Sequence, residues 1–139
     1  MPAAVAAWFS LGLGNAKAAT IDVTTTSDPA SPTCPSVASC SFRGAVAAAS
    51  DGDLISLPSG TIALTQGEVL ATKSLTIRGV GRDSTVLDAS GLTPGPGSRV
   101  LRIAGAVSGV TNLEDLSVTG GRVLNGSRAG GGGVRCNSR

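Results

Sequence analysis

From Asp53 onward the chain is written in short runs of alternating apolar and polar residues. The runs are Asp53–Leu57, Thr61–Leu64, Leu75–Gly79, Thr85–Asp88, Arg99–Ile103 and Leu116–Gly120, and glycine or proline follows nearly every one. In a strand, successive side chains point to opposite faces, so alternation marks a ribbon with one buried side. Leu75 and Ile77 would then face inward with Thr76 and Arg78 outward. Leu116 and Val118 would face inward with Ser117 and Thr119 outward. Leu75-Thr76-Ile77-Arg78-Gly79 also recurs, conservatively altered, as Leu116-Ser117-Val118-Thr119-Gly120. Repeated short strands with glycine corners predict a solenoid, its coils stacked by parallel backbone hydrogen bonds about 4.8 Å apart.

The segment before Asp53 reads differently. Thr20–Thr26 alternates and predicts a first strand. Residues 27–35 hold three prolines and predict a loop. Phe42, Ala45, Val46 and Ala49 then recur at helical spacing, which predicts a helix over Ser41–Ser50. Ser39 or Ser41 is suited to cap its start, and Gly52 after Asp51 to stop it. A stack of coils leaves an apolar end that something must cover. The expectation is that this helix caps the amino-terminal end through Phe42, Val46 and Ala49. Leu92–Ser98 is too rich in Pro and Gly for a strand and predicts an extruded loop. Gly130–Gly133 leads into Val134-Arg135-Cys136, which reads as the opening of a further strand, as in a fragment of a longer solenoid.

Composition narrows the function classes. The core must be aliphatic, because there are two Phe, one Trp and no Tyr among 139 residues. The absence of His excludes a Ser-His-Asp triad, a His general base and a His metal ligand. A net charge of +2 with scattered Lys and Arg and few aromatics gives no nucleic-acid footprint. Residues 1–18 read as a secretory signal: Ala3–Leu13 is apolar, and Ala16-Lys17-Ala18 is a small-x-small cleavage site. That stretch is too short and interrupted for a membrane span. In a secreted chain Cys34 and Cys40 could close a small loop, which leaves Cys136 over. The chain thus divides into a signal (1–18), a strand, loop and capping helix (19–52), and the first coils (53–139).

Cys40-Ser41-Phe42-Arg43-Gly44-Ala45-Val46 resembles the CSLREA motif of secreted bacterial right-handed parallel β-helix proteins. The stretch Gly52–Thr61 is similar to that family's GDTIxLPAGTY. Lys73–Gly81 and Leu116–Gly121 resemble its LTIxGxG and LTITGG strands, and Gly131–Val134 its GGGI. The resemblance covers roughly residues 20–136. Phe42 stands for the motif's Leu and Gly44 for its Glu. The resemblance implies an all-β, right-handed parallel β-helix with a short amino-terminal capping helix, on a secreted or cell-surface protein. It implies no shared catalytic site.

Several residue groups invite a chemical reading. Asp51 and Asp53 could offer two carboxylates to calcium, although a turn between helix and strand explains them better. Asp83 and Asp88 could face a groove beside Arg78, Arg82 and Arg99, against surface ion pairs as the simpler account. Glu114-Asp115 could be a hydrolytic pair, but adjacent residues on a strand diverge. Gly130–Gly133 could cradle phosphate only if a helix followed. No catalytic, cofactor or metal residue is therefore assigned. The expected function is a non-catalytic cap and first coils, serving adhesion or polymer binding. The alternative is the amino-terminal part of a carbohydrate-active lyase or hydrolase with its active site downstream. Expected partners are an extracellular polysaccharide or cell-surface partner and the remaining coils, with no nucleic acid and no membrane span in the mature chain.

Overall fold

A computed structural model describes residues 17–32, 34, 39–93, 98–104, 110–122 and 133–137. Those residues are mostly short strands in parallel sheets, with one short helix. In chain order the elements are β1 (Thr20–Asp22), α1 (Phe42–Ala48), β2 (Leu54–Ser56), β3 (Gly60–Ala63), β4 (Val69–Ala71), β5 (Thr76–Arg78), β6 (Thr85–Asp88), β7 (Leu101–Ala104), β8 (Asn112–Glu114), β9 (Ser117–Thr119) and β10 (Val134–Asn137). The first sheet has the order β1-β2-β5-β8, the second β3-β6-β9 and the third β4-β7-β10. All pairings are parallel. From β2 to β7 each strand pairs with the strand three places further along the chain.

Register carries the alternation from strand to strand. In the first sheet Ile21, Ile55, Ile77 and Leu113 stand in one row. Ile62, Leu87 and Val118 make the row of the second sheet. Val69, Leu101 and Val134 make one row of the third. The middle members of these rows are fully buried, whereas Ile21, Leu113, Val118 and Val134 are partly buried against the same core. Branched aliphatic side chains suit such rows, because they fill a pleated surface without polar atoms to satisfy. Leu57 and Leu75, at the ends of β2 and β5, join this core, and Leu116 packs against it.

The two similar segments, Leu75–Gly79 and Leu116–Gly120, do not lie on one another. The first contains β5 of the first sheet, and the second contains β9 of the second sheet. The row above β5 is occupied by β8, which alternation did not reveal. The corner between β8 and β9 is only Asp115 and Leu116, and Asp115 turns the chain at φ 52. Asp tolerates that left-handed backbone better than most residues.

Gly79 and Gly120 end the two similar segments for the same physical reason. A Cβ on Gly79 would collide with the Asp115 carbonyl and the Thr85 side chain. One on Gly120 would collide with Asp88 and the backbone of Ser90, and Gly120 also sits at φ 77. Each corner runs against the backbone of a neighbouring segment too closely for any side chain.

The helix is shorter than its apolar spacing predicts. Ser41 is extended, and its Oγ accepts the Gly44 N–H at 3.2 Å, so Ser41 rather than Ser39 is the cap. The helix ends at Ala48, well before Gly52. Ala49 is already extended, and the Ser50 N–H donates to Asp53 Oδ2 at 2.8 Å. That bond starts the turn in which Gly52 takes φ 90. Lys73 Nζ reaches the last carbonyls of the helix, on Ala47 and Ala49. Phe42, Ala45, Val46 and Ala49 are buried in the core, with α1 against β4.

Candidate functional site

The densest polar construction among the described residues joins the chain before α1 to the sheets. Val23 N–H donates to Ser56 O at 2.9 Å, which prolongs the β1–β2 pairing. Thr24 and Thr25 N–H both turn to the Cys40 carbonyl, and Cys40 N–H donates to Thr24 Oγ1. Cys34 and Cys40 are disulfide-bonded, with Cα atoms 4.9 Å apart. Thr26 lies over Gly60 at the start of β3, where a Cβ on Gly60 would touch it at 3.4 Å. The segment therefore covers β3 as α1 covers β4, and both are edge strands of their sheets.

Asp28 is the fastening point. Its carboxylate is 2% exposed and accepts from Arg43 Nε at 2.8 Å and Nη2 at 2.9 Å. The Thr65 and Gln66 N–H groups donate to its Oδ2 at 2.9 and 3.0 Å. Thr65 Oγ1 returns a bond to the Asp28 carbonyl. Arg43, in the first turn of α1, also donates to the Glu68 and Gly67 carbonyls at 2.9 and 2.7 Å. Burial pushes the Asp28 carboxyl up, but the Arg43 hydrogen bonds, the two backbone N–H groups and the Arg43 charge together hold it below the usual carboxylate range. Loop, helix and the β3–β4 corner thus meet on one ion pair with bidentate geometry.

A second charged group adjoins it. Glu68 lies 3.6 Å from Arg99 and 3.5 Å from Arg102, at ion-pair rather than hydrogen-bond distance. Arg99 is buried, and Arg102 is half-exposed on the outer row of the third sheet beside Leu70. Neither group was legible as a site in the sequence. Asp28 stands alone among prolines, and Glu68 is separated in sequence from both of its arginines.

The residues singled out from sequence are dispersed. Asp51 Oδ1 accepts the Ser74 N–H at 2.8 Å, while Asp53 accepts the Ala19 and Ser50 N–H groups. The two carboxylates pin a turn, each to different backbone. Hydrogen bonds from Ser50 and then Ala19 lower the Asp53 carboxyl against the opposing effect of burial, and the Lys73 charge adds to them. Arg78 pairs with Glu114 across β5 and β8 at 2.7 Å, with both side chains well exposed. Arg82 and Asp83 are 3.9 Å apart and almost wholly in solvent. Asp88 accepts from the Ser90 N–H and hydroxyl. Arg78 and Asp88 thus belong to the first and second sheets, and Arg99 precedes β7 of the third. Glu114 and Asp115 part company, because Asp115 makes the corner and its carbonyl accepts the Gly81 N–H.

Gly130–Gly132 lie outside the described residues, and Gly133 gives its carbonyl to Val100 and Leu101 as β10 begins. Cys136 occupies the register position beside Ile103. Among the described residues no group of three or more His, Cys, Asp or Glu could hold a metal ion, and no helix is long and apolar enough to cross a membrane. Residues 1–16, the bulk of the expected signal, lie outside the described residues, as do 94–97 of the expected loop.

What the sheets offer to a partner is their outer rows. On the first sheet these are Thr20, Leu54, Thr76 and Asn112, and beside them Asp22, Ser56, Arg78 and Glu114. On the second they include Ala63, Asp88 and Thr119. These are mostly polar faces, on which the Arg78–Glu114 pair is exposed. No family model, no curated protein and no solved structure matches the chain.

Proposed function

We propose that the chain is the amino-terminal cap and opening turns of a right-handed parallel β-helix in a secreted or cell-surface protein. Its outer sheet faces bind an extracellular polysaccharide or a cell-surface polymer, and it carries out no catalysis. The observation that carries this reading is the pairing order. Strands recur in sets of three, and each set pairs in parallel with the next, as the three faces of one coil would. Parallel strands joined by crossovers are right-handed almost without exception. The resemblance of Cys40–Val46 to the CSLREA motif points the same way. The Cys34–Cys40 disulfide favours an oxidising compartment. The non-catalytic part is supported by the engagement of Asp51, Asp53 and Asp88, whose carboxylates each accept backbone N–H groups.

Binding is tested by co-sedimentation with insoluble extracellular polysaccharides, neutral and acidic. The expected result is retention on at least one polymer, weakened by joint replacement of Thr76, Arg78 and Asn112 on the first sheet. A folded chain that stays in the supernatant with every polymer sinks the binding role. Release of soluble sugar from any polymer sinks the non-catalytic one.

A further inference from the structure

We infer that the peptide bond between Ala18 and Ala19 is the processing site of the amino-terminal segment, and that the α-ammonium group released on Ala19 pairs with the Asp53 carboxylate. The inference rests on the secreted reading above and adds to it a site and a receptor for the new terminus. Two independent observations meet at this bond. In the sequence, Ala16-Lys17-Ala18 is a small-x-small cleavage signal after an apolar stretch. In the structure, ordered pairing starts at the next residues: Ala19 O accepts the Leu54 N–H at 2.8 Å, and Thr20 opens β1 opposite Leu54. Lys17, Ala18 and Ala19 are exposed and free of helix or strand, as a peptidase substrate must be. A cut here removes nothing that the sheets use, whereas a cut after Thr20 would strip β1 of its first residue.

The receptor is already in place. Ala19 N lies 2.8 Å from Asp53 Oδ1, and Asp53 is buried, with its other oxygen taken by the Ser50 N–H at 2.8 Å. Hydrolysis adds water across the bond: the carboxylate departs with Ala18, and the amine on Ala19 takes up a proton. A neutral N–H donor thereby becomes a charged one at the same atom, and a charge-assisted hydrogen bond replaces an ordinary one. The carboxyl already leans toward its ionised form, as a receptor for a cation should. Lys73 is the other cation acting on Asp53, and its ammonium is occupied by the Ala47 and Ala49 carbonyls.

The test begins with the full chain expressed in a bacterial host with a secretory pathway. Amino-terminal sequencing and intact mass of the exported protein should give Ala19-Thr20-Ile21. Export with a cut at another bond overturns this inference and leaves the secreted reading standing; retention inside the cell, uncut, overturns both. The pairing is tested on the processed protein. Selective acetylation of its α-amine should lower the folding constant about five- to tenfold, the difference between a charged and a neutral hydrogen bond. In Asp53→Asn the same acetylation should change nothing. If that variant does not fold, NMR titration of the Ala19 amine in the parent decides, with an expected pKa above the ordinary ~7.7–8.0. Equal losses in both proteins, or an amine that titrates at its ordinary value, overturn the pairing.

Discussion

Replacing Asp28 with Asn keeps the side chain's shape and removes its charge at the point where loop, helix and the β3–β4 corner meet. Four donors converge on the carboxylate: two from Arg43 and the N–H groups of Thr65 and Gln66. An amide has one accepting atom, and its NH2 would face N–H groups that also donate. Taking one partner from a buried ion pair costs about 3–5 kcal/mol, chiefly because the other charge is left behind. Arg43 keeps the Gly67 and Glu68 carbonyls and is 18% exposed, which places the expected loss near the lower end, about 3 kcal/mol. Urea denaturation should show a lower midpoint at unchanged slope. The pH dependence gives a second readout. A carboxyl lowered in the folded state contributes stability that is present above its unfolded pKa of about 3.9 and is lost as pH falls through the lower folded value. The parent should therefore lose stability below about pH 4, and Asp28→Asn should lose less over that window. A loss under about 1 kcal/mol, the range of a surface pair, would refute the reasoning. So would an acid limb identical to the parent's.

Three further outcomes follow from the packing. Ile77→Ala empties a fully buried place in the first sheet and should cost about 2–5 kcal/mol by denaturant titration, while Arg78→Ala next to it should cost under about 1 kcal/mol. Gly120→Ala should cost at least the ~1–3 kcal/mol of overpacking, because its Cβ meets backbone and its φ is positive; calorimetry on the purified variant measures it. Reduction of Cys34–Cys40 should cost about 2 kcal/mol, read as the difference in urea midpoint with and without a thiol reductant.

The strands with two alternating aliphatic residues were readable, because period-two burial leaves a direct trace in Leu75-Thr76-Ile77 and Ile55-Ser56-Leu57. β8 was not, because Asn112-Leu113-Glu114 carries a single apolar residue. β4 was not, because its inward positions are Val69 and the small Ala71, with Leu70 outward. The similarity of Leu75–Gly79 and Leu116–Gly120 did not tell which sheet each joins, because a short strand ending in glycine looks alike in any of them. The helix was legible from its apolar spacing, but its end was not, since Ser50 is drawn away by Asp53. The Asp28–Arg43 fastening left no signal at all, because an ion pair between a loop and a helix depends on the fold that brings them together.

The pairing order has a consequence for biogenesis. From β5 to β10 every strand pairs with the one three places upstream, and β2 pairs with β1 upstream of it. A nascent polypeptide that emerges amino end first thus meets every template before the ribbon that needs it. Once β1 to β4 have been made, each later strand can add to a partner already present, at the pace of translation or export.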